Sequence, residues 1–425
     1  MDRRNFLKGA GVAGVSAAML PYLKVLPASA APNGVAVVAI SQTINSLDIH
    51  RSGTNRPSYQ IAVNCYDRLV SFGTKTMADG SLSYDYSTIK PDLAESWKFA
   101  PDGMSVTFKI RQNAVFSDGS PVTASDVKWS LDRAVSLGGF PAVQMKAGSL
   151  EKPEQFVVVD DKTFRIDFIR KSKLTIPDLA VPVPMIINSK AARAKATPED
   201  PWATEYLHRN TAGSGAYTIA RWDPGQQIVY ERNDKWTGGE LPGVKRVVVR
   251  EVPSQATSRA LVERGDVQLA FGIPDKDAKE LSAQGKVDVV GTPIENCIYC
   301  LCPNLSFEPF KDKKVRQAIA YAVPYEEIFR TAAYGQGVPM WGASSSQVSD
   351  ISWPQPSPYS TNLDRAKSLM EQSAFKGGIK TSLSINLSLA SWMEPTALLV
   401  QESLAKIGIE TTIEKIPGAN WRTAA

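Results

Sequence analysis

Apolar positions follow two periods along this chain, and the order in which they alternate predicts a mixed α/β protein. Val35-Ala36-Val37-Val38-Ala39-Ile40 is a continuous run of β-formers, the pattern of a strand buried on both faces, and it opens into a polar loop from Ser41 to Gly53. Residues 97–99 and 106–110 alternate with period two on either side of Pro101-Asp102-Gly103. Proline presets φ there and glycine permits positive φ, so the segment predicts a hairpin. Thr123 is placed to cap a helix with Asp126 in the capping-box position, and Val127, Leu131 and Ala134 form a stripe along that helix. A second hairpin pairs residues 157–159 with 164–168 across Asp160-Asp161-Lys162. Residues 71–179 therefore predict a self-contained α+β unit.

Beyond Gly213 the pattern gives a strand, the turn Asp223-Pro224-Gly225, a strand over 228–230 and another over 247–252. A helix over 258–264 is stopped by Gly265, and residues 267–271 follow as a strand. Helix then strand, with a short connection, is the order an α/β layer needs. The last third repeats it: Asp312 caps a helix with Val315, Ile319 and Ala322 on one face, and a helix from Pro395 to Ile407 ends at Gly408 before a strand over 409–416.

Composition then narrows the class. At 425 residues the chain exceeds one compact core, so two or three packing units are expected. Hydrophobic content of 43% with nine tryptophans argues against wholesale disorder, and no apolar run of about 18 residues is present to span a bilayer. The first residues read Arg3-Arg4-Asn5-Phe6-Leu7-Lys8, then an apolar small-residue stretch from Gly9 to Leu20, then Ala28-Ser29-Ala30. These are the three parts of an export signal in order, with Arg3, Arg4, Phe6, Leu7 and Lys8 in the twin-arginine pattern and cleavage after Ala28-x-Ala30. Gly9-Ala10-Gly11-Val12-Ala13-Gly14 matches the dinucleotide fingerprint, but it lacks the preceding strand and the later acidic residue that this chemistry requires. The formal charge of +5 becomes +2 when Arg3, Arg4, Lys8 and Lys24 leave together with Asp2. That balance, with no basic block interleaved with aromatics, argues against a nucleic-acid partner. Cys65, Cys297, Cys300 and Cys302 are too few for a disulfide scaffold. The segment 297–302 reads as a strand with Cys300 and Cys302 on one face, so buried free thiols are expected in preference to a metal site.

Four blocks, in order, resemble the family 5 extracellular solute-binding proteins. They are Leu47-Asp48-Ile49-His50 with Tyr66-Asp67-Arg68-Leu69-Val70; Pro91-Asp92-Leu93-Ala94-Glu95-Ser96-Trp97 through Pro101-Asp102-Gly103 to the run from Phe116 to Val127; Gly213-Ser214-Gly215-Ala216-Tyr217 with Glu231-Arg232-Asn233, Trp236 and Gly238-Gly239; and Asp312 to Ala322. The family usually has proline at position 49, threonine at 214 and proline at 216, where this chain has Ile49, Ser214 and Ala216. The resemblance implies an α/β, two-lobed periplasmic-binding-protein (Venus flytrap) architecture with an additional α+β subdomain on the first lobe. Its parts would be a signal peptide over 1–30, lobe I over 31–70 and 180–295, the subdomain over 71–179, and an incomplete lobe II over 296–425. It also implies about a hundred further residues after Ala425, a domain-scale segment.

The implied activity is capture of a small solute, a peptide first among the candidates, by hinge closure, followed by delivery to the permease subunits of an ABC importer in the inner membrane. The product would be a soluble periplasmic monomer with no lipid anchor and no cofactor, exported by the twin-arginine translocase. Ligand contacts are expected on loops beyond strand ends: Gln42, Asn45, His50 and Arg51 after the first strand, and Trp341 and Trp392 from the second lobe. Tyr299 is expected near the hinge. The alternative is an exported redox or hydrolytic enzyme. Against it, the chain holds only His50 and His208 and has no H-E-x-x-H, G-x-S-x-G or phosphate-cradling loop.

Overall fold

A computed structural model describes residues 34–77, 80–291, 299–335 and 359–417. The expected export signal (Arg3, Arg4, Phe6, Leu7, Lys8, Ala28 and Ala30), Cys297 and Trp341 lie outside the described residues. The chain divides into two compact units, Met1–Gly272 and Ile273–Ala425.

The first unit carries strands β1 (Val35–Ile40), β2 (Val70–Thr76), β3 (Leu82–Pro91), β4 (Ala94–Phe99), β5 (Ser105–Ile110), β6 (Phe156–Asp160), β7 (Thr163–Asp167), β8 (Tyr217–Asp223), β9 (Gln227–Arg232), β10 (Arg246–Glu251) and β11 (Leu269–Ala270). One mixed sheet has the order β11-β1-β10-β9-β8, with β1 parallel to both neighbours and β8, β9 and β10 antiparallel in turn. The apolar run of β1 is thus central, as a strand covered on both faces requires. The expected strand over 267–271 is shorter as a ladder element, but Gln268 N and Phe271 N still donate to Val37 O and Ala39 O at 2.9 Å. A second sheet, β4-β5-β7-β6, is antiparallel and contains both expected hairpins.

The helix Ala124–Ser136 begins where the capping box places it, with Asp126 Oδ2 accepting from Thr123 N at 2.9 Å. Val127, Leu131 and Ala134 are fully buried, and so are Ser130 and Arg133. The helix is therefore surrounded rather than laid on a surface, and a single apolar stripe understates its burial. The β2–β3 ribbon went unpredicted because β3 carries Tyr84 and Tyr86 in place of aliphatics. Their rings meet Phe72 of β2 edge-on at 6.4 and 5.0 Å, a period-two aromatic signal.

The second unit holds β12 (Ile379–Asn386) and β13 (Ile409–Ile416), parallel and connected through the helix Ala390–Ala405. Its core joins Val315, Ala318, Ile319 and Ala322 of the helix Lys313–Ala322 to Leu369, Ile379, Val400, Leu404 and Ile409. Asp312 caps the first of these helices, accepting from Lys314 N at 2.8 Å. The helix expected to open at Pro395 begins at Ala390 and carries the proline inside it. The bond from position 395 to the carbonyl of Ser391 is forfeited there. Residues 299–304 form neither strand nor helix, and Cys300 and Cys302 are exposed. The expectation of a buried strand there is corrected. Among the described residues its β-forming side chains have no neighbouring strand, and propensity alone does not make a ladder.

Candidate functional site

The loop leaving β1 is fixed from beneath. Asp48 and Arg133 have fully buried side chains and form a two-pronged ion pair, with Arg133 Nη1 donating to Asp48 Oδ1 at 2.9 Å and Nη2 to Oδ2. Arg133 Nε donates to Trp202 O at 3.0 Å, and its guanidinium lies 6.0 Å from the Trp129 ring centroid. Burial pushes the Asp48 carboxyl up, but the Arg133 charge and hydrogen bonds, with smaller help from His50, leave it below the ordinary value.

His50 belongs to the same knot. Its backbone N–H donates to Asp48 Oδ1 at 2.9 Å, and its Nε2 lies 2.6 Å from Val183 O. A carbonyl only accepts, so Nε2 carries the proton, and Nδ1 has no partner among the described residues. His50 is 0% exposed, so it offers a solute no surface, and its expected role as a ligand contact gives way to a packing role. Burial first and the Arg133 charge second depress its pKa to about 4. A group depressed below its unfolded value of 6.5 contributes full stability above that value and loses it as pH falls toward 4. The loss totals about 3 kcal/mol. Denaturant titrations of wild type and His50→Gln from pH 7 to 4.5 should therefore converge as pH falls. Parallel curves would contradict this role.

The other expected contacts in the loop are placed differently. Arg51 is partly exposed and pairs with Glu205 at 3.1 Å. Asn45 is exposed, yet its amide is occupied in shaping the loop, with Nδ2 donating to Gly53 O and Oδ1 accepting from Asn55 N, both at 3.0 Å. Gln42 is half-buried at the start of the loop. In the second unit, Trp392 is half-buried and its ring stacks on that of Tyr299, with centroids 3.9 Å apart and planes 31° apart. Gln42, Asn45, His50 and Arg51 thus share one loop of the first unit, and Trp392 and Tyr299 come together in the second.

A serine–histidine contact also occurs: His208 Nδ1 lies 3.1 Å from Ser46 Oγ. The Ser46 hydroxyl donates to Asp48 O at 3.0 Å, so Nδ1 donates to the hydroxyl rather than taking its proton. That arrangement orients a loop and does not activate a nucleophile. Among the described residues no group of three or more His, Cys, Asp or Glu is placed to hold a metal ion.

Residues of the sequence blocks prove to be structural joints, within a block, between blocks and to the segments around them. Gly215 N donates to Cys65 O at 3.0 Å, Asn233 Nδ2 donates to Gly215 O at 2.9 Å, and the Trp236 indole donates to Asp67 Oδ1 at 3.1 Å. Burial, then the nearby Asp92 charge, push the Asp67 carboxyl well above its ordinary value against that indole bond. Asp118 Oδ2 accepts from Asn188 Nδ2 at 2.9 Å, and Asp126 Oδ1 from Ser189 N at 3.0 Å. Sequence reasoning missed Arg133 as the partner of Asp48; the one available signal was an arginine lodged between Leu131 and Ala134 on the helix.

The family model for bacterial extracellular solute-binding proteins, family 5 middle region, matches residues 88–425. The chain belongs to this family. It is 29% identical over 404 residues to the "Probable D,D-dipeptide-binding periplasmic protein" of Escherichia coli, covering 93% of this chain and 72% of that relative. It is 28% identical over 407 residues to a glutathione-binding protein of Pectobacterium atrosepticum, covering 94% and 72%. Among solved structures, a periplasmic binding protein from A. tumefaciens R10 in complex with agropinic acid superposes with a TM-score of 0.71 at 25% identity, covering 92% of this chain and 74% of that one. A Helicobacter pylori periplasmic binding protein in complex with the peptide STSA gives 0.72 at 22%, again over 92% and 74%. The family 5 chain thus has the α/β periplasmic-binding-protein fold that its blocks imply. Membership in a family of solute-binding proteins lends the enzyme reading no support. No helix among the described residues is long and apolar enough to cross a membrane.

Proposed function

We propose that this family 5 solute-binding protein is a periplasmic receptor for a small peptide or peptide-like solute, which it delivers to the permease subunits of an ABC importer. The observation that carries the proposal is the family match over residues 88–425, and two relatives named for D,D-dipeptide and glutathione binding supply the peptide class. Binding drives closure only to the extent that the solute prefers the closed state, so affinity and conformational change are one free-energy quantity. The Arg-Arg-Asn-Phe-Leu-Lys leader, cleaved near Ala30, would deliver the chain through the twin-arginine translocase as a soluble monomer. Lobe I over 31–70 and 180–295, the subdomain over 71–179 and lobe II over 296–425 remain the proposed domains. Tyr299 remains the proposed hinge residue.

Gln42, Asn45, Arg51, Trp341 and Trp392 are the proposed contacts, with Arg51 offering a guanidinium to a ligand carboxylate if it leaves Glu205. A thermal-shift and calorimetric panel of D,D-dipeptides, glutathione, tetrapeptides, agropinic acid and Fe(III)-EDTA tests the class. A peptide at a hundredfold excess over Kd should stabilise the protein by about 2.7 kcal/mol, and Arg51→Ala should weaken binding about tenfold while leaving the melting temperature of the free protein nearly unchanged. Stabilisation by the opine or the chelate alone would overturn the peptide assignment.

A further inference from the structure

The cysteines among the described residues divide sharply by environment. Cys65 is buried, and desolvation pushes its thiol far above the ordinary range. Cys300 and Cys302 are exposed, with Sγ atoms 3.2 Å apart in a shared S–H···S contact. The contact forms although the segment joins no sheet among the described residues. The stack of Tyr299 on Trp392 links the residue next to Cys300 to the helix Ala390–Ala405. Two soft nucleophiles are therefore held in contact at the surface.

We propose that Cys300 and Cys302 form a redox-active dithiol that closes reversibly to a disulfide by exchange with a glutathione-type or protein disulfide. One thiolate attacks a sulfur of the oxidant, forming a mixed disulfide and expelling the oxidant's other sulfur as a thiolate. The neighbouring cysteine then loses its proton to solvent and attacks the protein sulfur of the mixed disulfide. An S–S bond forms between residues 300 and 302, and the second thiol of the oxidant leaves. The protein loses two electrons and two protons, and one disulfide of the oxidant becomes two thiols. The second step is intramolecular between atoms already in contact, so it outruns capture of another oxidant molecule. The hydrogen bond that the Cys300 S–H makes to Cys302, then partial burial and the adjacent sulfur's charge, hold the Cys300 thiol above its ordinary pKa. Cys300 therefore keeps its proton until the exchange begins.

The test uses full-length Cys297→Ser protein, which removes the third nearby thiol. It is equilibrated in glutathione buffers of increasing oxidised fraction, quenched with acid, treated with N-ethylmaleimide and digested with trypsin. The peptide spanning 287–311 should become lighter by two hydrogens and take up no maleimide, and dithiothreitol should restore two maleimide sites. The Cys65 peptide should be labelled only after denaturation. Adding Cys302→Ser should arrest the peptide with one glutathione attached. A parent peptide that ends mainly doubly glutathionylated, or that keeps both maleimide sites at the most oxidising ratio, would overturn the proposal.

Discussion

Replacing Arg133 with methionine should destabilise the first unit by about 3–5 kcal/mol, because it leaves the Asp48 carboxylate buried without its counter-charge. Asp48 and Arg133 are both fully buried, and the guanidinium also satisfies Trp202 O. The partner change, Asp48→Leu, should cost a similar amount by stranding a buried cation. The decisive measurement is the double variant Asp48→Leu with Arg133→Met. Removing both charges removes both desolvation penalties, so the pair should recover most of the loss and unfold within about 1–2 kcal/mol of wild type. Urea midpoints of the four proteins close the cycle. If the two single losses simply added, the ion pair would not be the element that holds the loop after β1 to the helix Ala124–Ser136. Since that loop carries Gln42, Asn45 and Arg51, the single variants should also weaken ligand binding more than the double variant does.

This pair marks where sequence reasoning stops. Local chemistry was legible: the continuous apolar run of β1, the Pro-Asp-Gly hairpin turn, the Thr123–Asp126 box and the Asp312 cap all fold as their residues dictate, because each is decided within a few positions. Asp48 and Arg133 lie 85 positions apart, and no periodicity encodes a long-range ion pair. His50 looked available on a polar loop, yet the loop is drawn inward by that buried pair and its imidazole packs beneath the surface. Cys300 and Cys302 fail in the opposite direction. Their β-forming neighbours suggested burial, but a strand exists only where a second strand accepts it. The candidate contacts were legible as residues on loops and not as a site. Asn45 spends its amide on its own loop, and Tyr299 and Trp392, expected in separate roles, stack on each other.

The block Gly213-Ser214-Gly215 gives the second large effect, and it separates two reasons for a glycine. A methyl group at Gly213 would sit 2.0 Å from Cys65 O, and one at Gly215 would sit 2.4 Å from the carbonyl carbon of Cys65. Both obstacles are backbone, so no rotamer change relieves them, and the β8 end of the first sheet would have to move off the helix Tyr59–Cys65. That movement would also strain the Gly215 N to Cys65 O bond and the Trp236 to Asp67 bond nearby. Gly213→Ala and Gly215→Ala should each cost about 3 kcal/mol or more, seen as a lower urea midpoint or as loss of soluble protein. Gly225 provides the contrast: it adopts φ +76° in the β8–β9 turn, with nothing within 4 Å of an added methyl. Gly225→Ala should cost only about 1–2 kcal/mol, the price of a left-handed alanine. Equal losses at all three positions would mean that conformational freedom, rather than close approach of two chain segments, explains the glycines of this block. A loss confined to Gly213 and Gly215 would establish the contact between blocks as the joint that seats the first sheet.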